Sequence, residues 1–404
     1  VSRVVVIGGG VAGAAAALAA RYAGAEVLLV RGGSGASMLA PGALDDAPWE
    51  RARGARPLEE PVARVLSALG AVVRARDALV ATTAGTLRPA RATDGALLDL
   101  ADLGPGAILV PDFEREGWDA PAVARSLSEH AARAPGLAFV ARPCALLRHP
   151  DEIALPDADI AARLDDDARL AWTAERIRAA LAGVEGCVGV LLPPWLGARA
   201  PRARALSEAV SLPCGELVGL PPHAAGIRFP SLRDEALTRA GVELLSGWAR
   251  AVRGGEVLLE EGAPIAAPAV VLATGGLVGG GVRYTPAEAM LATAYPPHAR
   301  PPFALALEAD VPLGESGRPF PTPGSLHGLP PESLAWPTSR RPALERVGIL
   351  TGEAFAAAPG VWACGEVAAD LPRTWIAAVR SGVIAGAAAA TWRTSLPAAS
   401  RSRP

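Results

Sequence analysis

The sequence predicts an α/β fold in which both ends of the chain build one nucleotide-binding sheet and the middle is a mixed α+β insertion. Three short apolar runs that each end in glycine predict it: residues 3–7 before Gly8, 269–273 before Thr274-Gly275, and 360–364 before Gly365. A chain of 404 residues, half of them hydrophobic, suits two domains and has ample material for their cores.

The first run opens a strand–turn–helix–strand unit. Residues 4–7 are Val-Val-Val-Ile, 11–22 are alanine-rich with helical character, and 25–30 are apolar and short enough for a buried parallel strand. Between strand and helix stands Gly8-Gly9-Gly10-Val11-Ala12-Gly13, which fits G-x-G-x-x-G. In that pattern Gly8 permits the sharp turn, Gly10 lets the backbone approach a pyrophosphate, and Gly13 lets the helix pack on the strand. The helix N-terminus then offers N–H groups and a positive dipole end to phosphates. The expected domain is Rossmann-like, an FAD/NAD(P)-binding fold of the glutathione-reductase type.

One position departs from that pattern. A dinucleotide site ordinarily has Asp or Glu at the end of the second strand, on the ribose. Here Val30 is followed by Arg31-Gly32-Gly33. Arg31 is a candidate to contact a phosphate or to stack on adenine. The alternatives are an adenosine half held in another way, or a mononucleotide, so FAD is expected with FMN as the alternative.

The second run, Ala269-Val-Val-Leu-Ala-Thr274-Gly275-Gly276, marks the return of the chain to the cofactor, where small residues permit close passage. The third, Gly360-Val-Trp-Ala-Cys364-Gly365-Glu366, ends in an acid, and Glu366 can accept hydrogen bonds from ribityl hydroxyls. A last helix over 374–393 points its N-terminus toward the charge that develops on a reduced flavin. The domain reading is 1–100 for the first part of the flavin-binding domain and 101–260 for the inserted substrate or cap domain. The chain returns at 261–285, a proline-rich irregular segment fills 286–346, the last part of the flavin domain is 347–393, and 394–404 is a flexible tail.

Composition excludes other classes. Net charge is −2 with scattered arginines and no lysine, unlike the basic footprint of a nucleic-acid binder. Cys144, Cys187, Cys214 and Cys364 are far apart and form no CxxC pair, so neither zinc nor an iron–sulfur cluster is expected, and no metal site is predicted. Buried apolar thiols in a reducing compartment fit them. No basic leader and no uninterrupted apolar run of about 20 residues is seen, which reads as a cytoplasmic protein whose membrane association, where there is one, runs through a partner.

Together these segments resemble the FAD-dependent oxidoreductase family, and more closely the family of B-type subunits of anaerobic glycerol-3-phosphate dehydrogenases. The similarity is carried in order by Val30-Arg31-Gly32, by 37–45 (Ser-Met-Leu-Ala-Pro-Gly-Ala-Leu-Asp) and by Gly85-Thr-Leu-Arg88. It continues in Leu220-Pro-Pro222 with Gly226-Ile227-Arg228, and in Gly348-Ile-Leu-Thr351. The loop before the last helix, Ala368-Ala-Asp-Leu-Pro-Arg373, departs from the glycine-rich stretch of that family. The resemblance implies a complex that oxidises sn-glycerol 3-phosphate to dihydroxyacetone phosphate, with a catalytic flavin subunit and an Fe–S membrane-anchoring subunit as partners.

Of five histidines, His130 is expected on a helix surface, His149 in a loop, and His298 and His327 in the proline-rich segment. His223, just ahead of Arg228 in the family-like block, is the candidate base for a substrate hydroxyl. Arg228 is the candidate to hold a phosphate bidentately. The plainer reading of the pair is a loop histidine and a structural arginine. Three functions stay open: a flavin enzyme subunit, a stand-alone FAD oxidoreductase of another small substrate, and a non-catalytic electron-relay subunit.

Overall fold

The computed structural model describes residues 3–46, 57–284, 303–314 and 343–392. Most of the proline-rich segment, with His298 and His327, and the 394–404 tail lie outside the described residues. The chain divides into two compact units. One takes Val1–Ala36, Leu237–Arg373 and Ala377–Pro404; the other takes Ser37–Ala236 and Thr374–Ile376.

The first unit is organised by β1 (Arg3–Ile7), α1 (Val11–Tyr22), β2 (Glu26–Arg31), β3 (Glu243–Ser246), β4 (Ala269–Leu272), β5 (Ala356–Ala358), β6 (Val361–Ala363) and α2 (Trp375–Thr391), of which residues 377–391 belong here. The sheet runs β3-β2-β1-β4-β6-β5. All neighbours are parallel except β5 on β6, with Val4 opposite Val27 on one side and Ala269 on the other. Strands β1 and β4 are continuous apolar runs because both faces are covered; Val4, Val5 and Val6 are fully buried. The chain leaves β1 toward β2 and later returns on its other side as β4. That makes β1 the point where strand order reverses, and in open parallel sheets ligands bind beyond the carboxyl ends of the strands at such a point.

Helix α1 is buried from Val11 to Ala20, and its side chains are nearly all alanine, which lets other backbones come close. A second sheet, Ile265–Ala266, Glu256–Leu259, Ala249–Arg253 and Glu308–Ala309, shares one core with the first. Val5, Ile7, Leu28 and Val30 meet Val252, Val257 and Leu307 there.

The second unit contains a three-stranded antiparallel sheet, Ala43–Leu44, Leu87–Asp94 and Ala71–Ala81. It also contains a four-stranded, wholly parallel one: Leu137–Pro143, Gly106–Asp112, Cys187–Leu192 and Cys214–Glu216. Helices Ala120–Glu129, Asp167–Leu181 and Ala203–Val210 connect the parallel strands, each strand-to-strand passage being a crossover. Its cores gather Ile108, Val110, Leu127 and Leu191 in one cluster and Leu109, Ile160, Ile177 and Leu206 in another.

The units divide at 36/37 and 236/237, where the sequence reading placed boundaries at 100/101 and 260/261. The reason is strand pairing across long separations. Leu87–Asp94 pairs with Ala43–Leu44 and Ala71–Ala81, which draws residues 43–100 into the second unit. Glu243–Ser246 pairs with β2 and draws 237–260 into the first.

Candidate functional site

The carboxyl ends of β1, β4 and β6 lie side by side, and each is followed by a glycine at positive φ: Gly8 (126°), Gly275 (86°) and Gly365 (70°). The ends are laced by backbone hydrogen bonds: Gly8 N–H donates to Val30 O (2.9 Å), Ala273 N–H to Ile7 O (2.8 Å) and Cys364 N–H to Leu272 O (2.9 Å). A Cβ on Gly8 would stand 2.0 Å from Ala273 O, and one on Gly13 would stand 2.0 Å from Gly8 O. Those two glycines are therefore required by the protein's own packing.

Gly10 is different. It is the N-cap of α1 at φ −77°, ψ −179°, an extended conformation open to any residue, and no side chain caps the helix there. It is half-exposed. Glycine places no side chain at the helix N-terminus, where a phosphate is favoured by the N–H groups and the helix dipole.

Thr274 and Gly275 begin a tight loop, and a Cβ on Gly281 would stand 2.2 Å from Gly275 O. Glu366, half-buried, lies against this loop: a Cβ on Gly276 would come within 2.9 Å of Glu366 Oε2. The Gly365 N–H donates to Ser381 Oγ (2.9 Å), which ties the strand end to α2. The loop that departs from the family pattern is held by an arginine. Arg373 donates to the carbonyls of Glu366, Ala368 (3.2 Å), Val347 (2.6 Å) and Glu345 (3.5 Å). Burial pulls the Arg373 pKa below the usual arginine value, against the opposing pull of Glu366, Glu345 and Asp370. Sequence reading missed Arg373, although its place at the end of a glycine-free loop is the one available signal. Arg31 closes β2, half-buried, with its carbonyl accepting from Gly247 N–H (2.9 Å). The eight predicted cofactor residues, Gly8, Gly10, Gly13, Arg31, Thr274, Gly275, Gly365 and Glu366, all fall in the first unit, on strand ends or the helix start.

His223 and Arg228 fall in the second unit, and both are fully buried. His223 Nε2 faces Leu217 O at 3.2 Å, and its Nδ1 accepts from Ala225 N–H at 3.0 Å. That pattern sets the neutral tautomer with the proton on Nε2, and its lone pair caps the start of the helix Ala224–Arg239. Arg228 Nη2 pairs with Asp94 Oδ1 (2.6 Å) and Glu216 Oε2 (2.9 Å), its Nη1 donates to Gly197 O (2.6 Å) and Leu196 O (3.2 Å), and Nε faces Asp94 Oδ2 (3.4 Å). Burial works against the Arg228 charge, but Glu216 and Asp94 outweigh it and raise its pKa. All five N–H groups are engaged, so none is left for a substrate phosphate. The base and phosphate roles read from the sequence give way to a helix cap and a buried ion-pair hub. Asp94 and Glu216 carry no sequence signal that marks them as its partners.

The family-like blocks of this unit meet one another. Arg88 pairs with Asp45, a Cβ on Gly226 would stand 1.9 Å from Met38 O, and one on Gly42 would stand 3.2 Å from Ala225 Cβ. Burial pushes the Asp45 carboxyl above its ordinary value despite the neighbouring Arg88. His130 is half-buried at a helix end and His149 is exposed.

All four cysteines are unpaired. Burial pushes Cys144 up to about 11 and Cys214 and Cys364 up to about 12, so these thiols stay protonated and inert. Among the described residues no group of His, Cys, Asp and Glu is placed to hold a metal ion, and no helix is long and apolar enough to cross a membrane.

Residues 3–184 match the FAD binding domain family. No curated protein matches the chain. Among solved structures the chain is similar to a peptidyl tryptophan dihydroxylase essential for tryptophylquinone cofactor biogenesis, at 15% identity over 69% of this chain and 33% of that one (TM-score 0.22). It is similar to L-amino acid deaminase from Proteus myxofaciens, at 15% over 68% of this chain and 46% of that one (TM-score 0.25). A third is thioredoxin reductase from T. acidophilum, at 12% over 96% of this chain and 97% of that one (TM-score 0.24). The chain thus spans a third to a half of the first two proteins. The family match and the strand-end glycines carry the assignment: the fold is Rossmann-like α/β and FAD is the cofactor. The residues present fit that group, since no side chain caps α1 at Gly10 and the acid Glu366 follows the end of β6 in the same sheet.

Proposed function

We propose that this chain is the FAD-holding B-type subunit of a glycerol-3-phosphate dehydrogenase complex, and that it relays electrons while a partner flavin subunit oxidises the substrate. FAD, when bound, supplies the capacity to accept and pass on electrons. The chain's own part is to hold it: Gly8 and Gly13 permit the tight packing of β1 and α1 that sets the helix N-terminus, Gly10 puts no side chain between that N-terminus and the pyrophosphate, and Arg373 fixes the loop that carries Glu366. The observation that carries the relay reading is the sealing of His223 and Arg228. Both are at 0% exposure with every polar atom engaged, so this chain offers neither of the groups expected to take the hydroxyl proton and grip the phosphate. The short family-like motifs support the choice of sn-glycerol 3-phosphate as the substrate of the complex. They equally support a catalytic flavin subunit and an Fe–S membrane-anchoring subunit as partners.

The test is to purify the chain alone, record its visible spectrum, identify the released cofactor by chromatography, and add sn-glycerol 3-phosphate. The expected result is a yellow protein that releases FAD and is not bleached by the substrate. Bleaching of the chain by itself would place the chemistry here and overturn the relay role. A colourless chain that cannot be reconstituted would overturn the flavin reading altogether.

A further inference from the structure

The end of β2 lacks the carboxylate that would hold the ribose, yet the family match makes the cofactor a dinucleotide. What stands at that place is an indole. Trp248 follows β3, which pairs with β2 so that Ser246 lies opposite Arg31. Its backbone is pinned: Gly247 N–H donates to Arg31 O (2.9 Å), and Trp248 O accepts from Glu260 N–H (2.8 Å). The ring lies on Gly32, where a Cβ would stand 2.1 Å from Cε2, 2.4 Å from Cδ2 and 2.5 Å from Cζ2. Only glycine admits the ring at that distance. Although one side is packed in this way, Trp248 is 60% exposed, the most exposed aromatic side chain among the described residues.

A pinned and largely open indole is an unusual feature unless something covers it. In a G-x-G-x-x-G fold the ribose and base lie beyond the second strand, on the same side as the pyrophosphate. We propose that Trp248, seated on Gly32, stacks on the adenine ring of FAD and takes over the anchoring that a carboxylate on the ribose provides elsewhere. This rests on the FAD reading and adds its adenine contact. Stacking needs only a flat π-face, so it explains how Arg31-Gly32-Gly33 can replace an acid without loss of the dinucleotide. It also explains why Gly32 is glycine, which the phosphate motif does not.

The experiment measures dissociation constants of FAD and FMN, by flavin fluorescence, for the full chain stripped of flavin and for its Trp248→Ala and Trp248→Phe variants. Trp248→Ala is expected to weaken FAD about tenfold to a hundredfold and to leave FMN unchanged, because FMN has no adenine. Trp248→Phe is expected to retain most of the FAD affinity. ADP should quench tryptophan fluorescence in the native chain and lose part of that quenching in Trp248→Ala. Unchanged FAD affinity in Trp248→Ala would overturn this inference and leave the FAD reading standing. Equal losses for FMN and FAD would make Trp248 merely structural and would also overturn it. Failure of the native chain to bind FAD would instead overturn the reading on which it rests.

Discussion

Arg228 reaches carboxylates that lie 134 and 12 residues away in the chain, and its place is fixed by that reach. In the sequence it stood beside His223 in a family-like block, and nothing near it announced Asp94 or Glu216. A side chain's type is legible in sequence, but its burial and partners are decided by the fold. Removing one partner of a buried ion pair leaves the other charge uncompensated, at a cost of about 3–5 kcal/mol. Arg228→Met is therefore expected to lower stability by that order in denaturant melts of the second unit, while Arg228→Met combined with Glu216→Gln and Asp94→Asn recovers part of it. A second buried acid gives a pH dependence. Burial disfavours ionised Glu152, but the Arg148 N–H (2.6 Å), Arg163 (2.5 Å) and Arg169 (2.7 Å) outweigh it and hold its pKa below the ordinary value. A depressed carboxylate stabilises the fold above its unfolded pKa of about 4.3, and that stability is lost as pH falls through the folded value. Urea melts should thus show Glu152→Gln clearly weaker than the native chain at pH 7, with the gap narrowing below pH 4; a gap independent of pH would contradict the ionic role.

The elements themselves were largely readable. The period-free apolar runs at 4–7, 25–30 and 269–273 became the buried parallel strands, and the alanine-rich run became α1 over the predicted residues 11–22. The helix Ala224–Arg239 starts directly after His223, which caps it, and accommodates Pro230 within it. Sequence also placed the last helix, but not what it packs against. A Cβ on Gly382 would stand 2.4 Å from Ala12 O, and one on Gly386 would stand 2.1 Å from Ala16 O, so α2 and α1 touch backbone to backbone. Glycines four apart lie on one helix face, which is what permits the contact. Two effects oppose each other at Gly386. Helix propensity favours alanine by about 1 kcal/mol. Overpacking against a backbone carbonyl that cannot rotate away costs about 1–3 kcal/mol. The second wins: Gly386→Ala should lower the melting temperature and the flavin content together, and a variant more stable than the native chain would show the helices free to separate.

At the scale of the molecule, two units were expected, but their boundaries were not. Strand pairing between residues far apart sets them, and the single β3–β2 ladder moves residues 237–260 from one unit to the other. The glycines that open the FAD site belong to one unit, so bound FAD acts on that unit's stability first. A ligand at 100 times its dissociation constant stabilises by about 2.7 kcal/mol, which appears as a rise in the melting temperature. Gly10 isolates this effect, because it stands at the N-cap of α1 in an extended backbone conformation that any residue adopts. Its backbone is extended, at φ −77°, and it is half-exposed, whereas Gly8 and Gly13 have carbonyl oxygens 2.0 Å from where a Cβ would be. Valine at an N-cap is disfavoured relative to glycine by about 1 kcal/mol, so flavin-free Gly10→Val should melt within a few degrees of the flavin-free native chain. Adding FAD should then raise the native melting temperature and leave that of Gly10→Val unmoved, since the valine side chain occupies the space needed by the pyrophosphate. An equal rise in both proteins would place the dinucleotide away from the α1 N-terminus, and a collapse of the flavin-free variant would mean that Gly10 serves the fold and not the cofactor.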